Sequence, residues 1–366
     1  MLGNFYISVA RMSLAVVQYN YKIKKKGTGG MEETKIVSEG EKNTELEEIY
    51  RTADLLQGEV AKVVTGKDRE ISLLVAALIA GGHVLIEDVP GVGKTTLAAT
   101  LAKAAGLRFS RAQFTPDVMA SDITGFNIYN RKSESFEFRA GLVDTNILLA
   151  DEINRASPKT QSSLLEAMEE GRVTVDGVTY EIPKPFMVIA TQNPIGFVGT
   201  YPLPEAQLDR FALRLRMGYP TALEEIAILR RRKKSNPFEE ISPLGRPEDI
   251  VRVKKAAEDV LMSEEVERYI VTLVSATRTR TELSLGASPR ASLMLMRLSR
   301  AKALLDHRNY VLPEDVAALF VETVAHRVAL TREAIANEVS AEDVMRSILD
   351  TTPVPFLTKT RYLSRK

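Results

Sequence analysis

A short glycine-rich segment, Gly91-Val92-Gly93-Lys94-Thr95, carries the clearest chemical signal in the chain. Closely spaced glycines let the backbone turn so that successive N–H groups point at one anionic site. Lys94 adds a positive charge that suits the β- and γ-phosphates of a nucleotide, and the Thr95 hydroxyl suits Mg²⁺. The segment therefore predicts a site for ATP and magnesium.

The predicted nucleotide contacts surround this lysine and are mostly backbone groups. They are Val89, Pro90, Gly91, Val92, Gly93, Lys94, Thr95 and Thr96, together with Gly66 from an earlier turn. One residue departs from the pattern G-x-x-x-x-G-K-[ST], because Asp88 stands where the first glycine is expected. The rest of the pattern is intact, so this departure weakens the prediction only slightly.

Phosphate binding by such a loop requires a buried strand before it and a helix after it. Val84-Leu85-Ile86 is a short apolar run, and residues 95–105 favour a helix that Gly106 closes. The loop is therefore expected to lie between a strand and a helix, with the phosphates at the helix amino terminus.

An acidic pair completes the predicted site. The apolar run 147–150 is typical of a strand buried on both faces of a parallel sheet, and it ends in Asp151 and Glu152. Asp151 can hold the magnesium ion together with Thr95, and Glu152 can orient and deprotonate an attacking water.

A later apolar run, residues 186–191, predicts another buried strand, and it leads to Asn193. An asparagine at a strand end beside the γ-phosphate can position the attacking water. A turn asparagine before Pro194 is an equally good interpretation of the residues alone.

Composition limits the class of protein. A chain of 366 residues is long enough for two or three domains, and its net charge of +1 gives no argument for nucleic acid. The chain contains no cysteine, which fits a reducing interior. No apolar run reaches the roughly eighteen residues of a membrane span. We therefore expect a cytoplasmic protein.

Changes in composition divide the chain into segments. We expect residues 1–43 to be disordered or to be a mis-annotated extension. Our hypothesis is that Met31 is the true start. The alternative is that the basic residues before it tether the protein to a membrane surface. Residues 44–220 would form the nucleotide-binding α/β domain. Residues 221–350 would form an α-helical domain, and residues 351–366 a flexible basic tail.

A basic run, Arg230-Arg231-Arg232-Lys233-Lys234, lies in the helical segment. Such a run at a helix end is usually a solvated face or a match to the negative end of the helix dipole. Nucleic-acid contact is less favoured, because no aromatic residues are interleaved with the run.

Several longer blocks resemble one known family, the MoxR group of AAA+ ATPases, over about residues 45–330. The blocks are Phe114-Thr115-Pro116-Asp117, Ser121-Asp122-Ile123-Thr124-Gly125, Ala150-Asp151-Glu152-Ile153-Asn154-Arg155-Ala156, Lys159-Thr160-Gln161, Leu164-Leu165-Glu166-Ala167-Met168 and Pro204-Glu205-Ala206-Gln207-Leu208-Asp209-Arg210-Phe211. The resemblance implies a parallel-sheet P-loop core followed by an α-helical lid. It also implies that Lys94, Thr95 and Asp151 bind ATP and Mg²⁺ and that Glu152 is the catalytic base.

The resemblance assigns three further roles. Asn193 would sense the γ-phosphate, and Arg210 would be an arginine finger that reaches the nucleotide of a neighbouring subunit. Should the finger lie elsewhere, Arg155 or Arg216 would be the next to test. Arg290 follows the cap Ser288 and would be the second sensor, which carries the lid against the ATP phosphates.

The expected assembly is a ring of six subunits with chaperone-like action on a protein client. MoxR relatives commonly act with a von Willebrand factor A domain protein, which would here be a separate polypeptide. The alternatives are a nucleic-acid motor resembling the minichromosome-maintenance helicases and a nucleotide-gated switch with little turnover. Residues 126–142 and a hairpin around Asp176-Gly177 resemble the two insertions of such proteins and could face the ring pore or a partner. An ordinary surface hairpin is an equally good interpretation of either segment taken singly.

Overall fold

The computed structural model describes residues 39–193, 200–234 and 236–356. The predicted extension up to residue 38 and the tail from residue 357 lie outside the described residues, as does Pro194. The described residues from Asn43 onward belong to one compact unit. None of the described helices is long and apolar enough to cross a membrane.

A five-stranded sheet forms the centre of the α/β part. Its strands are β1 (Val84–Glu87), β2 (Phe109–Gln113), β5 (Ile147–Asp151), β8 (Met187–Gln192) and β9 (Leu213–Leu215). Their order across the sheet is β2-β5-β8-β1-β9. All neighbouring strands in it are parallel. Every residue of β5 is buried, as its continuous apolar run predicts for a strand covered on both faces. The predicted α/β class is confirmed.

Helices cover this sheet and continue beyond it. The first group is α1 (Glu39–Val63), α2 (Asp68–Ala80), α3 (Lys94–Ala104), α4 (Ala120–Thr124), α5 (Pro158–Glu170) and α6 (Glu205–Leu208). The second group is α7 (Ala222–Lys234), α8 (Pro247–Glu258), α9 (Glu264–Ala276), α10 (Pro289–Leu305), α11 (Pro313–Val324), α12 (Arg332–Ala336) and α13 (Ala341–Thr351). A short antiparallel pair, β10 (Leu283–Leu285) and β11 (Ala329–Leu330), lies among the second group.

Helix α5 shows why local sequence predicts helix ends well. The Ser157 hydroxyl accepts a hydrogen bond from the N–H of Thr160, Pro158 occupies the first turn, and Gly171 ends the helix with φ 63°. Helix α10 begins in the same way, since Ser288 caps it and Pro289 follows. Both predicted starts are confirmed.

Two antiparallel hairpins lie outside the central sheet. One pairs β3 (Gly125–Asn130) with β4 (Ser135–Ala140), and the other pairs β6 (Arg172–Val175) with β7 (Val178–Glu181). The second confirms the hairpin predicted from its Asp-Gly turn. The two hairpins contact each other, because the rings of Phe138 and Tyr180 stack with centroids 3.7 Å apart.

One apolar core extends from the α/β part into the second helix group. Helix α2 packs against α8 and α10, and buried residues on both sides, such as Leu74 and Leu298, belong to the same cluster. The predicted domain boundary at residue 220 remains a proposal.

Candidate functional site

The glycine loop adopts the conformation that phosphate binding requires. Gly91 and Gly93 have φ of 88° and 93°, in the left-handed region that disfavours other residues. Gly93 caps helix α3, whose first residue is Lys94. The N–H groups of the loop and of the first helical turn are therefore available to an anion.

Lys94 lies beside the acidic residues of the site. Its Nζ donates a hydrogen bond of 2.7 Å to the backbone oxygen of Asp88. Burial lowers the pKa of Lys94, and the negative charges of Asp88, Asp151 and Glu152 oppose that shift. Burial disfavours the charged form of the Lys94 amino group. A phosphate group bound beside it would favour that charged form.

A cavity of about 530 Å³ opens next to the loop. Gly91, Gly93, Thr95 and Thr96 line part of it, and a group of apolar residues, called the apolar side below, lines another part. That apolar side contains Val63, Val64, Pro220, Ile228, Pro237 and Phe238. A cavity of this size and composition fits a nucleotide, with the phosphates at the loop and the base against the apolar side.

Gly66 contributes to this cavity through its position in a turn. Its neighbours Thr65 and Lys67 line the cavity, whereas Gly66 has φ 74° and a Cβ atom there would collide with the Glu224 side chain. The predicted nucleotide contact at Gly66 remains a proposal.

One residue of the basic run also reaches this region. Arg231 lines the cavity, and its guanidinium donates hydrogen bonds to the Lys62 carbonyl and the Thr65 hydroxyl. At least one residue of the basic run therefore makes tertiary hydrogen bonds and is not simply solvated. The run of like charges in the sequence does not indicate these bonds, because their partners are distant along the chain.

The two acidic residues at the end of β5 are joined by Thr191. The Thr191 hydroxyl donates to Asp151 Oδ1 at 3.1 Å and accepts from the N–H of Glu152 at 2.9 Å. Arg111 donates to the other oxygen of Asp151 through Nε and Nη2, at 2.8 and 2.7 Å. Asp151 is only 6% exposed, so its orientation is fixed by these bonds.

Glu152 has an unusual backbone for a side chain that is not glycine. Its φ is 55° and its ψ is 50°, a left-handed conformation that costs on the order of 1 kcal/mol and is often found at functional sites. Its carboxylate accepts a hydrogen bond of 2.9 Å from Arg155. Asn193 follows the end of β8, next to β1 and β5 in the sheet. The loop lysine, Asp151, Glu152 and Asn193 therefore share the carboxyl edge of the sheet.

Arg210 lies at the opposite, amino edge of the sheet. The N–H of Ala212 donates to the carbonyl of His83 at 2.7 Å, just before β1 begins. His83 also bonds the Met168 carbonyl at 3.0 Å, and the next residue, Glu169, forms an ion pair with Arg210 at 3.3 Å. Parallel strands rise about 3.3 Å per residue, so positions 83 and 88, which flank β1, are roughly 16 Å apart.

Arg290 lies with Arg210, and not with the glycine loop. Its guanidinium bonds the other oxygen of the Glu169 carboxylate. The prediction that Arg290 is the second sensor, which carries the lid against the ATP phosphates, remains a proposal, and in this structure Arg290 lies at the amino edge instead. The physical reason is a bond between Ser288 Oγ and Asp209 Oδ2, 2.9 Å long, which holds the start of α10 against the Arg210 segment.

A buried arginine reinforces this attachment. Arg327 donates to Asp209 Oδ1 at 3.1 Å and to the Phe211 carbonyl at 2.6 Å. Burial lowers the pKa of Arg327 to about 10, against the raising effect of Asp209, so the guanidinium remains charged at neutral pH. Asp209 thus connects the segment of Arg210 to two parts of the second helix group.

Comparisons with known proteins agree with this fold and site. Residues 83–213 match the ATPase family associated with various cellular activities (AAA), and residues 275–348 match the AAA lid domain. The Bacillus subtilis protein YeaC is 50% identical over 297 residues, which cover 81% of this chain and 92% of YeaC. Chaperone MoxR1 of Mycobacterium tuberculosis is 42% identical over 307 residues, which cover 81% of each chain.

A solved structure is also similar. It is the crystal structure of a Cytophaga hutchinsonii protein whose name describes an ATPase. The TM-score is 0.81 at 37% identity, and the match covers 87% of this chain and 99% of that one.

The nucleotide loop, the acidic strand end and the helical lid together define an AAA+ ATPase. Within that class, the chain belongs to the MoxR family. The predicted family, fold class and ATPase activity are confirmed.

Proposed function

We propose that this ATPase works as a ring that remodels or matures a protein client, with each ATP bound between two subunits. The observation that carries the proposal is the separation of charged residues between the two edges of the sheet. Lys94 and Glu152 lie at the carboxyl edge, whereas Arg210 and Arg290 meet at Glu169 on the amino edge. The arginines of one subunit can therefore serve the ATP of a neighbour.

In this proposal, the residues of the carboxyl edge bind the nucleotide and activate the attacking water. The loop from Val89 to Thr96 and the turn at Gly66 hold the nucleotide, Glu152 takes a proton from the attacking water, and Asn193 orients that water. Arg155 and Arg216 are less suitable as fingers, because Arg155 bonds Glu152 of its own subunit at 2.9 Å and Arg216 lies near Glu87 at the end of β1.

Thr95 and Asp151 fit a magnesium site. One group is a hydroxyl at the first turn of α3 and the other a buried carboxylate at the end of β5, which are the oxygen donors that Mg²⁺ prefers. When bound, Mg²⁺ would neutralise charge on the phosphates.

The arginine finger can be tested directly. We expect Arg210→Ala to keep ATP binding and to lose most hydrolysis, because a finger contributes roughly a thousandfold to turnover in systems where it has been measured. Binding is measured by titration with a fluorescent ATP analogue, and hydrolysis by phosphate release. Arg155→Ala and Arg216→Ala serve as comparison variants, and undiminished hydrolysis by an assembled Arg210→Ala ring would contradict the assignment.

Membership of the MoxR family supports our proposal for the client and partner. The name of the Mycobacterium tuberculosis relative describes a chaperone, and we propose chaperone-like action in the cytoplasm on a protein client, with a von Willebrand factor A domain partner and a ring of six.

Replacing Glu152 with Gln should slow hydrolysis and hold the ATP-bound assembly together. Affinity purification of Glu152→Gln with ATP should then retain that partner, with wild type in ADP as control. Stimulation of the ATPase by single-stranded or duplex DNA would contradict the chaperone proposal.

A further inference from the structure

Asp88 occupies the position where the phosphate-loop pattern has a glycine, and its side chain is engaged on all sides. The residue is 8% exposed. Asp88 Oδ2 accepts hydrogen bonds from the N–H groups of Met217 and Gly218, at 2.6 and 2.7 Å. Oδ1 accepts from the N–H of Val89 at 2.9 Å. The backbone oxygen of the same residue accepts the bond from Lys94.

The segment that Asp88 holds is the connection from β9 to α7. Gly218 has φ 63°, so the chain turns sharply there before Pro220. Lys67 bonds the Met217 carbonyl from the other side. The peptide units around Met217 are thus fixed both by the phosphate loop and by a residue that lines the cavity.

This connection leads into the apolar side of the nucleotide cavity. Pro220 lies within this connection, and Ile228 and Arg231 of helix α7 follow it. The phosphate side and the apolar side of the cavity are therefore linked through one carboxylate. A glycine at position 88 would leave the N–H groups of Met217 and Gly218 without this acceptor.

We propose that Asp88 is a positioning residue for nucleotide binding: it sets the spacing between the phosphate loop and the segment that begins the base-binding side of the cavity. The proposal rests on the assignment of this cavity to ATP. The hydrogen bonds described for the Asp88 side chain all come from backbone N–H groups, those of Val89, Met217 and Gly218, and none involves the proposed base Glu152. Loss of the Asp88 side chain should therefore weaken binding more than it slows the chemical step at saturation.

The test compares nucleotide affinity with turnover. In Asp88→Gly, which restores the common glycine, we expect the dissociation constant for a fluorescent ADP or ATP analogue to rise at least about tenfold, because charge-assisted hydrogen bonds are lost. We expect kcat at saturating ATP to stay within about twofold of wild type, since Glu152 and Arg210 are unchanged. Asp88→Asn, which keeps one acceptor oxygen, should give a smaller rise in the same direction and covers the case in which Asp88→Gly fails to fold.

Asp315→Asn is a matched control for a purely structural effect. Asp315 is 4% exposed, and its carboxylate likewise accepts a backbone N–H, from Leu312 at 2.8 Å, and pairs with Arg308. It lies in the second helix group, away from the cavity. We expect this variant to lower the melting temperature and to leave nucleotide affinity unchanged.

The outcomes separate the two assignments. Wild-type affinity in both Asp88 variants, whatever their melting temperatures, would overturn the role of Asp88 while the nucleotide site stands. Equal losses of affinity in the Asp88 and Asp315 variants would overturn it too. Failure of the wild-type protein to bind either analogue would contradict the cavity assignment and, with it, this proposal.

Discussion

At the scale of single residues, Thr191 illustrates how a modest side chain organises the acidic site. Its hydroxyl bonds both Asp151 and the backbone of Glu152, so it fixes the proposed magnesium ligand and the proposed base relative to each other. The sequence offered only a weak signal for it, a hydroxyl at the end of an apolar strand. The partner of that hydroxyl lies 40 positions away along the chain and leaves no local pattern.

Glu169 is the second residue that sequence reasoning missed. Its carboxylate holds Arg210 with one oxygen and Arg290 with the other. The roles of both arginines were predicted from the family resemblance, and the cap at Ser288 predicted only that Arg290 lies in the first turn of its helix. Their meeting depends on bonds between residues 121 and 79 positions apart, at Glu169 and at Asp209. Local propensity cannot indicate such pairings.

A substitution at Glu169 tests whether the two arginines act together. Glu169→Gln leaves one carbonyl oxygen for two guanidinium groups and removes the negative charge between them. We expect kcat to fall about tenfold, with the affinity for ATP unchanged, because the arginines lose their shared orientation. Phosphate release and a fluorescent nucleotide titration measure the two quantities.

The neighbouring residue provides the control for this change. Glu170 is exposed and pairs only with Arg172 among the ion pairs of the described chain, at 3.1 Å, so Glu170→Gln should turn over ATP at the wild-type rate. Equal rates in Glu169→Gln and Glu170→Gln would show that the pairing is incidental.

At the scale of secondary-structure elements, most of the fold could be predicted from sequence. The strands β1, β5 and β8 appear as continuous apolar runs, and the capped starts of α5 and α10 follow from Ser-Pro pairs. These features are local, since burial and capping depend on residues within a few positions. The packing of α2 against α8 and α10 is not local, which is why the domain boundary stays a proposal.

His83 connects three of these elements at the amino edge of the sheet. It precedes β1, its Nδ1 accepts the N–H of Val188 in β8 at 2.9 Å, and its Nε2 donates to the carbonyl of Met168 in α5. The ring is buried, and burial lowers its pKa from 6.5 to about 4, although the bond to Met168 acts in the raising direction. The neutral ring is the form that the fold accommodates.

This arrangement predicts a loss of stability in mild acid. Because the folded-state pKa lies below the unfolded one, the contribution of His83 is complete above about pH 6.5 and falls as pH decreases toward about 4. The expected loss over that range is about 3 kcal/mol. Urea unfolding of wild type and of His83→Gln from pH 7.5 to 4 measures it. The variant should have a shallower dependence on pH over that range, even if it is less stable at pH 7.5, and parallel curves would contradict the assignment.

At the scale of the whole molecule, the two edges of the central sheet divide the proposed chemistry. The carboxyl edge contains the nucleotide loop, the acidic pair and Asn193, and the amino edge contains Arg210 and Arg290 on Glu169. The bonds of Asp209 to Ser288 and Arg327 couple the Arg210 segment to the lid helices. If the nucleotide of a neighbouring subunit displaced these arginines, the lid helices bonded to their segment would move with them. The proposed ring would in this way couple hydrolysis to movement of the lid.

Mixing two inactive variants tests the shared site most directly. Lys94→Ala should lose ATP binding but still present Arg210, and Arg210→Ala should keep its nucleotide site but present no finger. In a mixture assembled from equal amounts, about one interface in four joins an intact nucleotide site to an intact finger, so we expect roughly a quarter of the wild-type ATPase rate. A mixture that remains as inactive as its two components, under conditions in which mixed assemblies form, would contradict the account.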